Sequence, residues 1–211
     1  MIFDQYKYII WDWNGTLLND GWLCVDIINT FLKDRKLPTV NFEQYQNVFG
    51  FPIIDYYRRL GLDFENESFE QLAHHYVEIY YRRVSECQLH DGSMELLQHF
   101  QKRNRGQSVL SAAHQENLQQ MVRHFKIETY FDFITGLDDH YASSKVELGK
   151  QLLEQLNQKP ADVLFIGDTT HDFEVAEALR TNCVLIAQGH HAKQRLQTCG
   201  APVFSSFREL L

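Results

Sequence analysis

Four sets of polar residues stand at the edges of apolar or helical runs in this sequence. Asp12 follows YKYIIW (6–11), and Ser111 closes QSVLS (107–111). Lys145 opens a helical stretch, and Asp168 and Asp172 follow DVLFIG (162–167). Carboxylates are hard oxygen ligands of the kind magnesium takes. An ammonium group offsets negative charge, and a hydroxyl beside a backbone N–H holds an anionic oxygen. Each residue also has a plainer use on its own. A strand-end acid caps a helix or forms a turn, a strand-end serine satisfies a local bond, and a lysine is usually solvated. The chemical use requires a fold that gathers all four sets at one place.

The apolar pattern supplies such a fold. Residues 6–11 read as a short buried strand. Helical spacing runs through 20–35, shorter helices fit 42–49 and 52–60, with Pro52 in the first turn of the latter, and 68–84 puts Phe69, Leu72, Ala73, Tyr76 and Tyr80 on one face. Helices then alternate with strands: helix 92–103, strand 107–111, helix 115–125, strand 131–135, helix 144–156, strand 162–167, helix 171–180, strand 183–187. The tail adds a helix near 192–198, a strand at 202–204 and a turn at 206–211. Wholly apolar strands alternating with helices imply a parallel sheet covered on both faces, and right-handed crossovers make it doubly wound. The expected fold class is α/β, with a Rossmann-like core at 1–17 and 88–211 and an all-helical insertion at 18–87. Ligands of such sheets bind beyond the carboxyl ends of the strands, where the polar sets would meet.

At this point the segments resemble a known family. IIWDWNGTL (9–17) is similar to the first motif of the haloacid dehalogenase-like hydrolases, VLSA (109–112) to the second, Lys145 to the third, and LFIGDTTHD (164–172) to the fourth, GDxxxD. The order and intervals agree, and the insertion resembles the helical cap of the phosphoglycolate phosphatase-like subgroup. The resemblance implies a magnesium-dependent phosphatase in which Asp12 attacks phosphorus and forms an aspartyl-phosphate. It implies that Asp12, the backbone carbonyl of Asn14 and Asp168 hold Mg2+, with Asp172 in support. It implies that Lys145 keeps Asp12 ionised, and that Ser111 and the Ala112 N–H bind a phosphoryl oxygen. A divalent cation removes the repulsion between a carboxylate and a phosphate dianion.

One position departs from the pattern. The family's phosphatases carry a second aspartate two residues after the nucleophile, as general acid and base, and this chain has Asn14. An amide exchanges no proton at neutral pH, and loss of a general acid–base slows a reaction by about 10²–10⁴. The alternative is therefore a weakened member that binds a phosphorylated ligand or partner. A phosphonatase-like C–P hydrolase ranks lower, because it needs a cap lysine and FGFPIIDYY (49–57) has none; Lys33 and Lys36 lie earlier. Arg58 and Arg59 could meet an anionic substrate group, and His114 could reach the leaving group. The pairs His74–His75 and His190–His191 lack metal-ligand spacing.

Bulk properties narrow the partners. The chain has 211 residues, 44% hydrophobic and 23% charged, with a formal charge of −8, and no Lys/Arg run exceeds two. That balance argues against nucleic acid and against disorder. The four cysteines form no CxxC pair and suit a reducing compartment. The first apolar run stops at Asp12, too early for a signal peptide or a membrane span. The expected setting is the cytoplasm, and the expected partner a small phosphorylated metabolite. Oligomeric state stays open.

Overall fold

A computed structural model describes residues 3, 5–65, 67–138 and 144–211. In chain order the elements are β1 (Tyr8–Trp11), β2 (Leu18–Asn19), α1 (Gly21–Asp34), α2 (Phe42–Val48), α3 (Ile53–Arg59), α4 (Phe69–Arg83), β3 (Gln88–Leu89), α5 (Ser93–Lys102), β4 (Gly106–His114) and α6 (Gln115–His124). There follow β5 (Phe133–Leu137), α7 (Lys145–Leu156), β6 (Val163–Gly167), α8 (Thr170–Leu179), β7 (Asn182–Ile186), α9 (Lys193–Leu196) and β8 (Val203–Phe204).

Six strands form one parallel sheet in the order β5-β4-β1-β6-β7-β8. Strand β1 can sit between β4 and β6 because both of its faces are apolar. Ile9 and Trp11 pack with Leu96, Leu97 and Phe100 of α5 and Val122 of α6. Tyr8 and Ile10 point the other way, onto Leu152 of α7 and Val175 and Leu179 of α8. Full burial of such side chains contributes about 1.5–3 kcal/mol each. Helices on both faces make this the doubly wound sheet expected from the pattern. The order reverses at β1, so the switch-point crevice opens beyond the carboxyl ends of β1 and β6.

Helices α1 to α4 lie between β2 and β3, which pair antiparallel as a two-stranded ribbon. Capping boxes start two of these helices, Asn41 with Gln44 at α2 and Ser68 with Gln71 at α4. Leu23, Ile27 and Phe31 of α1 are buried in the same core cluster as Leu72 of α4. Among the described residues, no helix is long and apolar enough to cross a membrane.

Three expectations need correction. Strand β4 does not stop at Ser111 but runs to His114, with an irregular register between Leu110 and His114. The small residues of SAAH gave no strand signal, and pairing with β5 carries the strand on. Strand β5 starts at Phe133, not 131, because a 3-10 turn at Glu128–Tyr130 precedes it, and Phe131 packs on the core from that turn. Pro52 stands just before α3, in extended backbone at its N-cap, and not inside its first turn.

Candidate active site

The crevice at the switch point holds a charged cluster. Asp12 leaves β1 with its N–H donated to Ile166 of β6, 2.9 Å away. Lys145, the first residue of α7, reaches between two carboxylates. Its Nζ donates to Asp12 Oδ1 at 2.5 Å and to Asp172 Oδ1 at 2.6 Å, and it is buried over the Phe165 ring. Asp172 also serves the plainer use foreseen for an acid here. It belongs to the capping box of α8, where Oδ2 accepts from the N–H groups of Asp168 and Thr169.

Asp168 lies in the turn between β6 and α8. One carboxylate oxygen accepts from Thr16 Oγ1 at 2.7 Å and the other from the His190 N–H at 2.6 Å. Two glycines make that approach feasible. Gly15 has φ +74°, and a Cβ there would sit 2.3 Å from Asp168 Oδ2; a Cβ on Gly189 would sit 2.1 Å from the same oxygen. Ser111 and Ala112 line the cavity above Asp12. Ser111 Oγ accepts from the Ala113 N–H at 3.0 Å, which leaves its own hydrogen to donate. The structure thus brings Asp12, Asn14, Ser111, Ala112, Lys145 and Asp172 to one cavity of about 340 Å³, with Asp168 buried behind Gly15.

Burial governs the electrostatics. It pushes Asp12 above the ordinary carboxylate range, against the pull of Lys145. Asp168 is raised by the same cause, with the neighbouring carboxylates adding to it. Burial would raise Asp172 too, but Lys145 holds it below the usual value. Burial disfavours charge on Lys145, and Asp12 and Asp172 more than compensate, so its pKa rises.

The groups around Asn14 were not foreseen. Its Nδ2 donates to Asp20 Oδ2 at 2.8 Å and to the Tyr80 hydroxyl at 2.7 Å, and Tyr80 donates to the same Asp20 oxygen at 2.6 Å. Asp20 Oδ1 accepts from the Gly15 N–H and lies 3.4 Å from His190 Nε2. Tyr45 meets His190 Nδ1 at 2.9 Å. Burial opposes charge on His190, but Asp20 overcomes it and the imidazole is pushed up to about 9. His190 had a legible signal, since it follows the carboxyl end of β7, the same rule that picked out Asp168. Asp20, at the N-cap of α1, reaches Asn14 through the local turn, and Tyr80 reaches both only through the packing of α4 over the crevice. Arg58 pairs with Asp55 at the surface, and neither it nor Arg59, Lys33, Lys36 or His114 lines the cavity.

The residues present fit a divalent cation. Ligand oxygens of Asp12, Asp168 and Asp172 lie within 4.8 Å of one another, all three residues buried. Among the described residues, four buried aspartates, with Asp20, stand against two cation-forming side chains, Lys145 and His190. Oxygen-only donors suit magnesium.

Fold and cluster together define a doubly wound α/β protein with a carboxylate–lysine site at its switch point. Residues 9–186 match the family model of the haloacid dehalogenase-like hydrolases, and the chain belongs to that family. It is 27% identical over 186 residues to the tyrosine-protein kinase PtkA of Mycobacterium tuberculosis, a match covering 87% of this chain but 63% of that protein's length. It is 26% identical over 207 residues to the N-acetylmuramic acid 6-phosphate phosphatase of Pseudomonas putida, covering 94% and 91%. In fold it is similar to a haloacid dehalogenase-like hydrolase of Streptococcus pneumoniae, with TM-score 0.82, 20% identity, and 98% and 97% of the two chains covered.

Proposed function

We propose that this chain is a magnesium-dependent phosphomonoester hydrolase that acts on a small phosphorylated metabolite through an aspartyl-phosphate on Asp12. The observation that carries the reading is Lys145, buried between Asp12 and Asp172. A buried lysine held by a strand-end carboxylate keeps that carboxylate ionised and fixed, which a nucleophile needs. Asp12, the Asn14 carbonyl and Asp168 would hold the cation, with Asp172 in support. When bound, magnesium neutralises charge on the phosphoryl oxygens. Ser111 and the Ala112 N–H take a phosphoryl oxygen, and Asp12 attacks phosphorus. Water then releases phosphate and returns the carboxylate. Residues 18–87 act as a cap whose segment 49–57 faces the site, since Phe49, Phe51, Ile53, Tyr56 and Tyr57 line the cavity. Four free cysteines suit the cytoplasm.

One observation favours a second reading, a weakened member that binds a phosphorylated ligand. Asn14 offers no proton, and its amide hydrogens are committed to Asp20 and Tyr80. Phosphate release from a panel of phosphorylated metabolites with magnesium separates the two. Turnover that vanishes in Asp12→Asn supports the phosphatase. Stable labelling of Asp12 by acetyl phosphate without release supports the binding reading. Transfer to a tyrosine peptide instead of water would overturn both in favour of the activity named for the mycobacterial relative.

A further inference from the structure

We infer that the phosphatase proposed above acts on the phosphate ester of an uncharged aromatic alcohol, an aryl phosphate whose ring occupies the aromatic roof over Asp12. This rests on that reading and names its substrate class. Two observations point the same way, one in the cavity wall and one in the acid–base position.

Above its charged floor the cavity is mostly apolar. Above Asp12 its walls are Phe49, Phe51, Tyr57, Phe69, Val77 and Met121. Such walls favour a flat apolar group by area and by ring-edge contacts. They offer nothing to a charged one. Among the described residues no arginine lines the cavity, Lys145 is engaged with Asp12 and Asp172 and His190 with Asp20, and the remaining histidine, His171, lies against the Phe51 ring. A carboxylate on the leaving group would be desolvated there without a partner. That disfavours an ester such as phosphoglycolate against an uncharged one.

The second observation is Asn14. No proton waits at the family's acid position, and the groups that contact Asn14 are committed to one another. Tyr80 donates to Asp20, and the ring nitrogens of His190 face Tyr45 and Asp20. The leaving oxygen must therefore depart with its electron pair. An aryl oxygen does so readily, since a phenol ionises near about 10, whereas an aliphatic alcohol is roughly as weak an acid as water, near about 16. Asp12 oxygen bonds to phosphorus as the P–O bond to the ring oxygen breaks. The phenolate takes its proton from solvent. Water then adds to phosphorus and the Asp12 carboxylate leaves, so one ester and one water give one phenol and one phosphate.

The test compares four esters on the native chain with magnesium: phenyl, 3-carboxyphenyl and benzyl phosphate, and phosphoglycolate. We expect kcat/KM for phenyl phosphate to exceed that for 3-carboxyphenyl phosphate about 10-fold or more, because the ring is shared and only the buried charge differs. It should exceed benzyl phosphate by about 10²–10⁴, the worth of a missing general acid. Val77→Arg, at a 47% exposed position of the wall, should narrow the first gap and leave the second. Equal rates on the two rings, or a preference for phosphoglycolate, would overturn the inference. So would fast benzyl phosphate turnover that His171→Gln abolishes, since His171 also lines the cavity and would then be the acid. If no ester is hydrolysed, even by Asn14→Asp, the phosphatase reading has failed, and calorimetric titration still decides the cavity. Phenylphosphonate binding tighter than phosphonoacetate supports an aromatic site, and the reverse order removes it.

Discussion

The floor and the roof of the cavity are built by different means. The floor is a set of charged side chains gathered beyond the carboxyl ends of parallel strands, each fixed by hydrogen bonds. Asp12, Lys145, Asp168 and Asp172 come from three widely separated stretches of chain and are all buried. The roof comes from helices inserted between two short ribbon strands, and its contacts are mostly between rings. Phe49 alone packs against Tyr45, Phe51, Tyr56 and His190. Directional bonds hold a reaction geometry, whereas ring packing tolerates exchange of one apolar group for another. Under the proposed function the floor would define the reaction and the roof would select the substrate.

The sharpest way to break that division is to remove the nucleophile. Asp12→Asn should lower phosphate release by at least about 10⁴-fold in a steady-state assay, while retaining binding of phenylphosphonate through the roof. Loss of both together would mean that floor and roof are one unit. Next in size is Asn14→Asp. The new carboxylate would take the place of an amide 2.8 Å from Asp20 Oδ2, and two carboxylates that close share a proton. That proton is available to a leaving group, so benzyl phosphate turnover should rise by about 10²–10³, with phenyl phosphate changing far less. A uniform rise would show that the leaving group does not limit the native chain.

A third prediction probes the seam between the two regions. His90 follows the ribbon strand β3, and burial pulls its pKa from 6.5 down to about 4. The folded state holds it neutral, so its contribution is fully present above about pH 6.5 and is lost as the pH falls through about 4. The loss is on the order of 3 kcal/mol. Denaturant melts at pH 7 and pH 4 should show a steeper decline for the native chain than for His90→Gln. Similar declines would assign the acid sensitivity to other groups.

Metal binding should act on the floor alone. Magnesium at about 100 times its dissociation constant should stabilise the native chain by about 2.7 kcal/mol, read as a rise in Tm, and Asp168→Asn should lose most of that rise. An equal rise in both would place the ion elsewhere. The smallest effect belongs to the outer surface of the roof. Arg58 is exposed and pairs with Asp55 three residues away. Arg58→Ala should change stability by less than about 0.5 kcal/mol and leave KM for aryl phosphates nearly unchanged. A large rise in KM would return Arg58 to the substrate.

Much of the molecule was legible before folding. Strand β6 could be read because every residue of VLFIG is buried, so no polar residue interrupts it. The order of the four polar sets pointed to Asp12 as nucleophile. Legibility failed where burial did not follow residue type. SAAH continues a strand with small residues, and Phe131 packs from a turn. His190 was set aside because its pair lacks metal-ligand spacing, yet it is buried against Asp168 and Asp20.

Most of the strands and helices, and the order of the polar sets along the chain, could be read from local periodicity and short motifs, because each is written in neighbouring residues. Which side chains meet was settled by folding. Lys145 reaches Asp12 across 133 residues of chain, and Tyr80 reaches Asp20 across 60. No local pattern encodes such pairs, since they exist only once two-sided burial has fixed the strand order and the inserted helices have closed over the crevice. The same closure set aromatic rings over the crevice and left Arg58 and Arg59 outside the cavity lining.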